Sequence, residues 1–236
     1  MVQLRGVGCL LYGVVTIRVR MALRPESIQF GVAFPAAHPF SPNTFAKVAK
    51  PAKGQVVTMM APQPGGALTP VLVTGTDRSV ISYNPNAGVV SIQLQALSDV
   101  SAVGRRLILR LCRAAKTKES ELRGWELQGS FVADSGSTAV QAIQSRLHGP
   151  PSWTRAVFGT EMANWGIRVI PKAASAWGRP FIELTPWLEV TVEPLVANPT
   201  KIFMGFIIRE KTWRALAPKI RRLPALAQST LDHVLG

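Results

Sequence analysis

Cysteine, histidine and acid are all scarce in this chain. Its 236 residues include two cysteines, three histidines and 13 Asp+Glu. Cys9 and Cys112 cannot build a disulfide framework or a zinc site by themselves. Both lie in apolar runs, where a buried free thiol in a reducing compartment is the expected state. His38, His148 and His233 stand far apart, so no paired-histidine zinc motif exists. The acids are scattered, with no Asp-x-Asp pair to hold magnesium. A Walker loop, a GxGxxG turn and a nucleophile elbow are also missing. These absences argue against metal-dependent nuclease chemistry and against nucleotide-cofactor enzymes, and no cofactor or metal is expected. A long hydrophobic run is lacking too. Residues 7–15 (VGCLLYGVV) are too few to span a bilayer, no small-residue cleavage site follows, and Arg18, Arg20 and Arg24 come next. A cytoplasmic protein with no membrane partner is the expectation.

Positive charge, in contrast, is abundant: 27 Lys+Arg give a formal net charge of +14. A folded body with that excess repels itself, and an anionic polymer relieves the cost by releasing counterions on binding. Apolar residues make up 47% of the chain, too many for a disordered basic tail and enough for a core. A basic folded protein points to nucleic acid as its partner.

Hydrophobic periodicity predicts α+β architecture. Residues 15–21 alternate as a first strand, with Ile17, Val19 and Met21 on one face, and 28–34 read as a second. Pro- and Gly-rich stretches divide short β segments at 55–61, 70–74 and 79–84. Asn84-Pro85-Asn86-Ala87-Gly88 is a turn leading into 89–97, where Val90, Ile92 and Leu94 alternate with polar residues as one arm of a hairpin. A helix follows, with Asp99 as its N-cap and Val100, Val103, Leu107 and Leu111 inward. Residues 125–133 form a strand and 135–148 a second helix, stopped by Gly149-Pro150-Pro151. Strands at 165–170, 180–184, 187–195 and 201–209 come next. A basic helix from about residue 210 is interrupted near Pro218, and a short helix after Pro224 closes the chain. No internal repeat is visible. The pattern predicts one α+β domain over 1–236, or two divided near 149–152. It has a mainly antiparallel sheet and two to three packed helices, a ferredoxin-like arrangement being one form of this.

Two stretches gather the cations. Residues 105–118 (RRLILRLCRAAKTK) hold six cations and no acid, and 209–222 (REKTWRALAPKIRR) hold six cations and one acid. At 100° per residue, Arg105, Arg106, Arg110, Arg113 and Lys116 share an arc of about 140° opposite the apolar stripe. A solvated helix face usually carries compensating glutamates at i and i+4, and this one has none. Lys211, Arg214, Lys219, Arg221 and Arg222 make the second patch, although cations late in a helix also answer its dipole. A third constellation interleaves Trp153, Arg155, Trp177 and Arg179, a pattern suited to stacking single-stranded bases.

A basic, cofactor-free α+β protein with an N-terminal strand and hairpins around a Gly-containing strand (201–209, with Met204-Gly205-Phe206) resembles the repeat-associated RAMP superfamily, the RNA-binding subunits of CRISPR ribonucleoproteins. The resemblance implies a ferredoxin-like fold, RNA as ligand and other protein subunits as partners. It also implies metal-independent endoribonuclease activity as an option, with His38 and Arg20 or Arg24 as the groups that shuttle a proton and steady the charge. The family's glycine-rich C-terminal loop is reduced here to Gly205. The rival reading is a non-enzymatic assembly protein of a virion, phage or secretion apparatus.

Overall fold

The computed structural model describes residues 23–49, 56–62, 68–76, 79–135, 139–144, 166–170, 186–195 and 197–235. The predicted strand at 15–21 and that at 180–184 lie outside them, as does the 149–152 boundary.

Period-two alternation builds the sheet. On β1 (Arg24–Ala33), Ile28, Phe30 and Val32 are buried and face the core. Helix α1 (Pro42–Ala49) follows. Ser41 caps it by accepting the Thr44 N–H at 3.2 Å, and Pro42 occupies the first helical position, where its missing N–H costs nothing. Strands β2 (Val57–Pro62), β3 (Leu68–Thr76), β4 (Ser79–Asn84) and β5 (Val89–Leu94) then run as an antiparallel meander. The predicted turn joins β4 to β5. Asn84 Oδ1 accepts the Ala87 N–H at 3.1 Å, and Gly88 adopts φ +63. A side chain at Gly88 would also meet Ala36 O at 2.4 Å, so the turn requires glycine twice over.

Helix α2 is continuous over 97–114 in three segments: Leu97–Asp99, a π-helical turn Val100–Gly104, and Arg105–Ala114. Asp99 is not its N-cap. Ala96 holds that position, and Asp99 sits in the first turn, where a carboxylate favours the positive helix end. The remaining elements are β6 (Gly124–Asp134), α3 (Ala139–Gln144), β7 (Ile167–Val169), β8 (Trp187–Leu195), β9 (Asn198–Glu210) and α4 (Trp213–Leu235). Helix α4 runs unbroken through Pro218 and Pro224. Leu216, Ile220, Leu223, Ala227, Leu231 and Val234 recur at helical spacing and are all buried. Neither proline belongs to that stripe, so tertiary packing outweighs the lost helical hydrogen bonds.

The nine described strands form one antiparallel sheet in the order β2-β3-β4-β5-β1-β6-β9-β8-β7. This is the α+β class with an antiparallel sheet. Among the described elements the succession is β-α-β-β-β-β-α and then β-α-β-β-β-α, which differs from the βαββαβ unit of a ferredoxin-like domain. From the β1–β6 seam outward, the strands read β1-β5-β4-β3-β2 on one side and β6-β9-β8-β7 on the other. The two sides share this order of strands over five and four described strands, with Gln29 and Gln128 facing each other across the seam.

The helices cover one face, and a single apolar core spans both halves. Val90, Ile92, Leu94, Val192, Met204 and Phe206 are buried as the alternation requires, and Val190 is half-buried. Ile17 and Val19 lie outside the described residues. Two glycines allow close helix-to-strand contact. Gly104 on α2 makes room for Phe30 of β1, and Gly129 on β6 makes room for Leu223 of α4. One half puts the glycine on the helix, the other on the strand.

Candidate nucleic-acid interface

The apolar stripe of α2 (Leu107, Ile108, Leu111 and Cys112, all buried) pins the helix to the sheet and turns its other side outward. Arg106, Arg110 and Arg113 are exposed there at i, i+4 and i+7 spacing. Among the described residues, no acid forms an ion pair with them. The predicted arc loses two members. Arg105 points inward: its Nη2 donates to Glu119 at 3.2 Å, and its Cζ lies 5.0 Å from the centre of the Trp213 ring. Lys116 falls beyond the helix end at φ +53. There the Lys116 N–H donates to Arg113 O at 3.2 Å and the Thr117 N–H to Cys112 O at 2.9 Å. This C-terminal cap ends the regular 100° progression at Arg113. Arg110 also spends one donor on Val48 O at 2.7 Å, tying α2 to the end of α1.

Thr212 immediately precedes helix α4, and its Oγ1 accepts the Ala215 N–H at 3.3 Å. Lys211, Arg214, Arg221 and Arg222 are exposed. Lys211 Nζ donates to Arg123 O at 3.1 Å, and Lys219 is committed to an ion pair with Glu210. These cations occupy the N-terminal half of a 23-residue helix with no acid in its first turn. That is the positive end of the helix dipole, so dipole compensation does not explain them. Their placement raises the local positive potential.

The two basic stretches, remote in sequence, meet over the seam. Phe30, Trp125 and Trp213 form a triangle with ring centres 5.6, 5.7 and 5.9 Å apart, and Arg105 stacks on Trp213. This cluster joins the start of α4 to α2 and holds both helices on the same side of the sheet. Sequence reasoning missed the junction. Trp213 at the head of the second stretch was its only signal.

Many other cations serve the fold. Arg123 donates through Nε to Phe34 O and through Nη2 to Ala87 O, both at 2.6 Å, clamping the end of β1 to the β4–β5 turn. On the sheet face opposite the described helices, buried Arg209 pairs with Glu126 and lies against Trp187, while Arg168 pairs with Glu189 at 2.8 Å. The same face holds a depression of about 510 Å³, lined by Glu26, Ser27, Gln29, Gln128, Ser130 and Phe203 among others.

Of the residues implied by the family resemblance, Arg24 and His38 do not converge. Arg24 opens the ten-residue β1 and His38 lies beyond its far end, about 30 Å along the strand. Arg20, Trp153, Arg155, Trp177 and Arg179 lie outside the described residues. Cys112 is a buried free thiol pushed up to about 11, first by burial and then by the charge of Glu119. Among the described residues, no group of three or more His, Cys, Asp or Glu gathers as a metal site. Among them too, no helix is long and apolar enough to cross a membrane.

No protein-family model and no curated protein matches the chain. Among solved structures, the Methanococcus jannaschii TBP is similar at 10% identity, with a TM-score of 0.36 over 89% of this chain and 98% of that one.

Proposed function

We propose that this is a nucleic-acid-binding protein, RNA favoured, that serves as a cytoplasmic ribonucleoprotein subunit beside other protein subunits. The observation that carries the reading is the joining of the two basic stretches. Arg106, Arg110 and Arg113 on α2, with Arg214, Arg221 and Arg222 on α4, project from one helical layer fastened at Arg105–Trp213. Such a layer grips phosphates by charge and reads little sequence. RNA is preferred on the resemblance to RAMP subunits. No cleavage is assigned, because His38 and Arg24 stand apart.

The test is a salt titration of binding to a fluorescein-labelled RNA. Each lost phosphate contact lowers the magnitude of the log-affinity against log-salt slope by about 0.7 to 0.9. The triple change Arg106→Ala, Arg110→Ala, Arg113→Ala is therefore expected to remove about two to three units, and so is Arg214→Ala with Arg221→Ala and Arg222→Ala. Unchanged slopes in both folded variants, or no binding by the native chain at low salt, would overturn the reading.

A further inference from the structure

We infer that the free edge of β2 pairs antiparallel with β2 of a second copy of this chain. Among the described strands, β2 ends the sheet. Its ladder to β3 runs from Val57↔Val73 to Pro62↔Leu68, and no described strand takes its other side. Val57, Met59 and Met60 are 55%, 55% and 56% exposed, and Leu68 is 61% exposed. Consecutive strand residues point to opposite faces, so Met59 and Met60 put apolar surface on both sides of the edge. Folded proteins blunt such edges with charge, bulges or very short strands. The opposite edge obeys that rule: β7 has three residues and carries Arg168. On β2 only Pro62, at its last position, interrupts pairing.

Charge selects the occupant. Two bodies of net charge +14 repel each other wherever cations lie. Strands β2 to β5 contain no charged residue, and between Lys53 and Asp99 the only charges are Asp77 and Arg78, which cancel. This end of the sheet is where two copies approach without like-charge cost, each offering the other the same apolar strand. A charged partner has nothing here to complement. Antiparallel β2–β2 pairing is isologous and closes at two, whereas β2 meeting β7 would propagate without end. The two-fold axis then stands perpendicular to the sheet and keeps both helical layers on one side. Resting on the proposed nucleic-acid reading, that makes one longer basic surface; the dimer itself does not depend on it.

The experiment is sedimentation equilibrium of the full chain, stripped of nucleic acid and kept in high salt so that no polyanion bridges copies. The native chain is expected at twice the monomer mass. The double variant Met59→Lys, Met60→Lys is expected at the monomer mass with an unchanged circular dichroism spectrum. Leu188→Lys, at an exposed position of the second half, is expected to remain dimeric. If the double variant fails to fold, Thr58→Lys on the same exposed strand replaces it. A native chain that stays monomeric at all concentrations, or folded β2 lysine variants that dimerise as the native chain does, would overturn the inference. Either result leaves the RNA salt titration unaffected, so the two proposals fail separately.

Discussion

The half built on β1 and the half built on β6 share a strand order and differ in the charge their strands carry. In the first, β2 to β5 offer Val, Met, Ser, Thr and Gln without a single charge. In the second, Glu126 on β6, Arg168 on β7, Glu189 on β8 and Arg209 on β9 form ion pairs between neighbouring strands. Both halves bury the same kind of apolar face beneath their helices. The likeness is one of strand order, and it needs no likeness of sequence, since only every second strand residue is held to the core face.

The largest expected effect tests whether the halves are one cooperative unit. Trp125→Ala removes a fully buried ring from the seam and is expected to cost about 3–5 kcal/mol in a single denaturant transition. Two separated transitions would show halves that unfold independently. Next, the charged and neutral strands are contrasted directly. Arg209→Ala strips a buried partner from Glu126 and is expected to cost about 2–4 kcal/mol, discounted because Glu126 keeps some exposure to water. Ser82→Ala on the neutral half is expected to stay within about 0.5 kcal/mol. Equal losses would erase the distinction.

Alkaline sensitivity belongs to the first half. Cys112 is raised from 9.0 to about 11, chiefly by burial, and burial also raises Tyr83 above 10.0 against the opposing Tyr83–Phe40 hydrogen bond. Both groups hold their protons longer when folded. The part from Cys112 is complete below pH 9 and is lost as pH rises through 9 to 11, and the part from Tyr83 is lost as pH rises above 10.0. Cys112→Ala is expected to flatten part of that decline in pH-dependent unfolding, and adding Tyr83→Phe to flatten more. A slope identical to the native one would refute the assignment. The smallest effect is a gain. Lys116→Gly relieves a left-handed conformation at the end of α2 and is expected to add about 0.5–1 kcal/mol, read as a higher unfolding midpoint.

Much of this molecule was legible from residue order. The β4–β5 hairpin, the alternation of Val90, Ile92 and Leu94, and the outward turn of Arg106, Arg110 and Arg113 follow from periodicity and turn chemistry alone. What was not legible depends on contacts between distant segments. Arg105 resembles its neighbours on a helical wheel, and only Trp213 and Glu119 turn it inward. Pro218 and Pro224 read as breaks, because the stripe from Leu216 to Val234 outweighs them only once a sheet lies beneath it. Lys116 follows the helical wheel in sequence but terminates the helix in space.

The seam has one more consequence, in time rather than in space. β1 pairs with β5 within its own half, but its other neighbour lies far along the chain: Ser27 meets Ser130 across a separation of 103 residues. A ribosome therefore releases everything the first half needs well before β6 appears, and local contacts form ahead of remote ones. During that interval the strand destined for the middle of the sheet is an edge, and Phe30 waits for Trp125 and Trp213. The nascent first half has open borders on both sides, and the arrival of β6 closes the inner one.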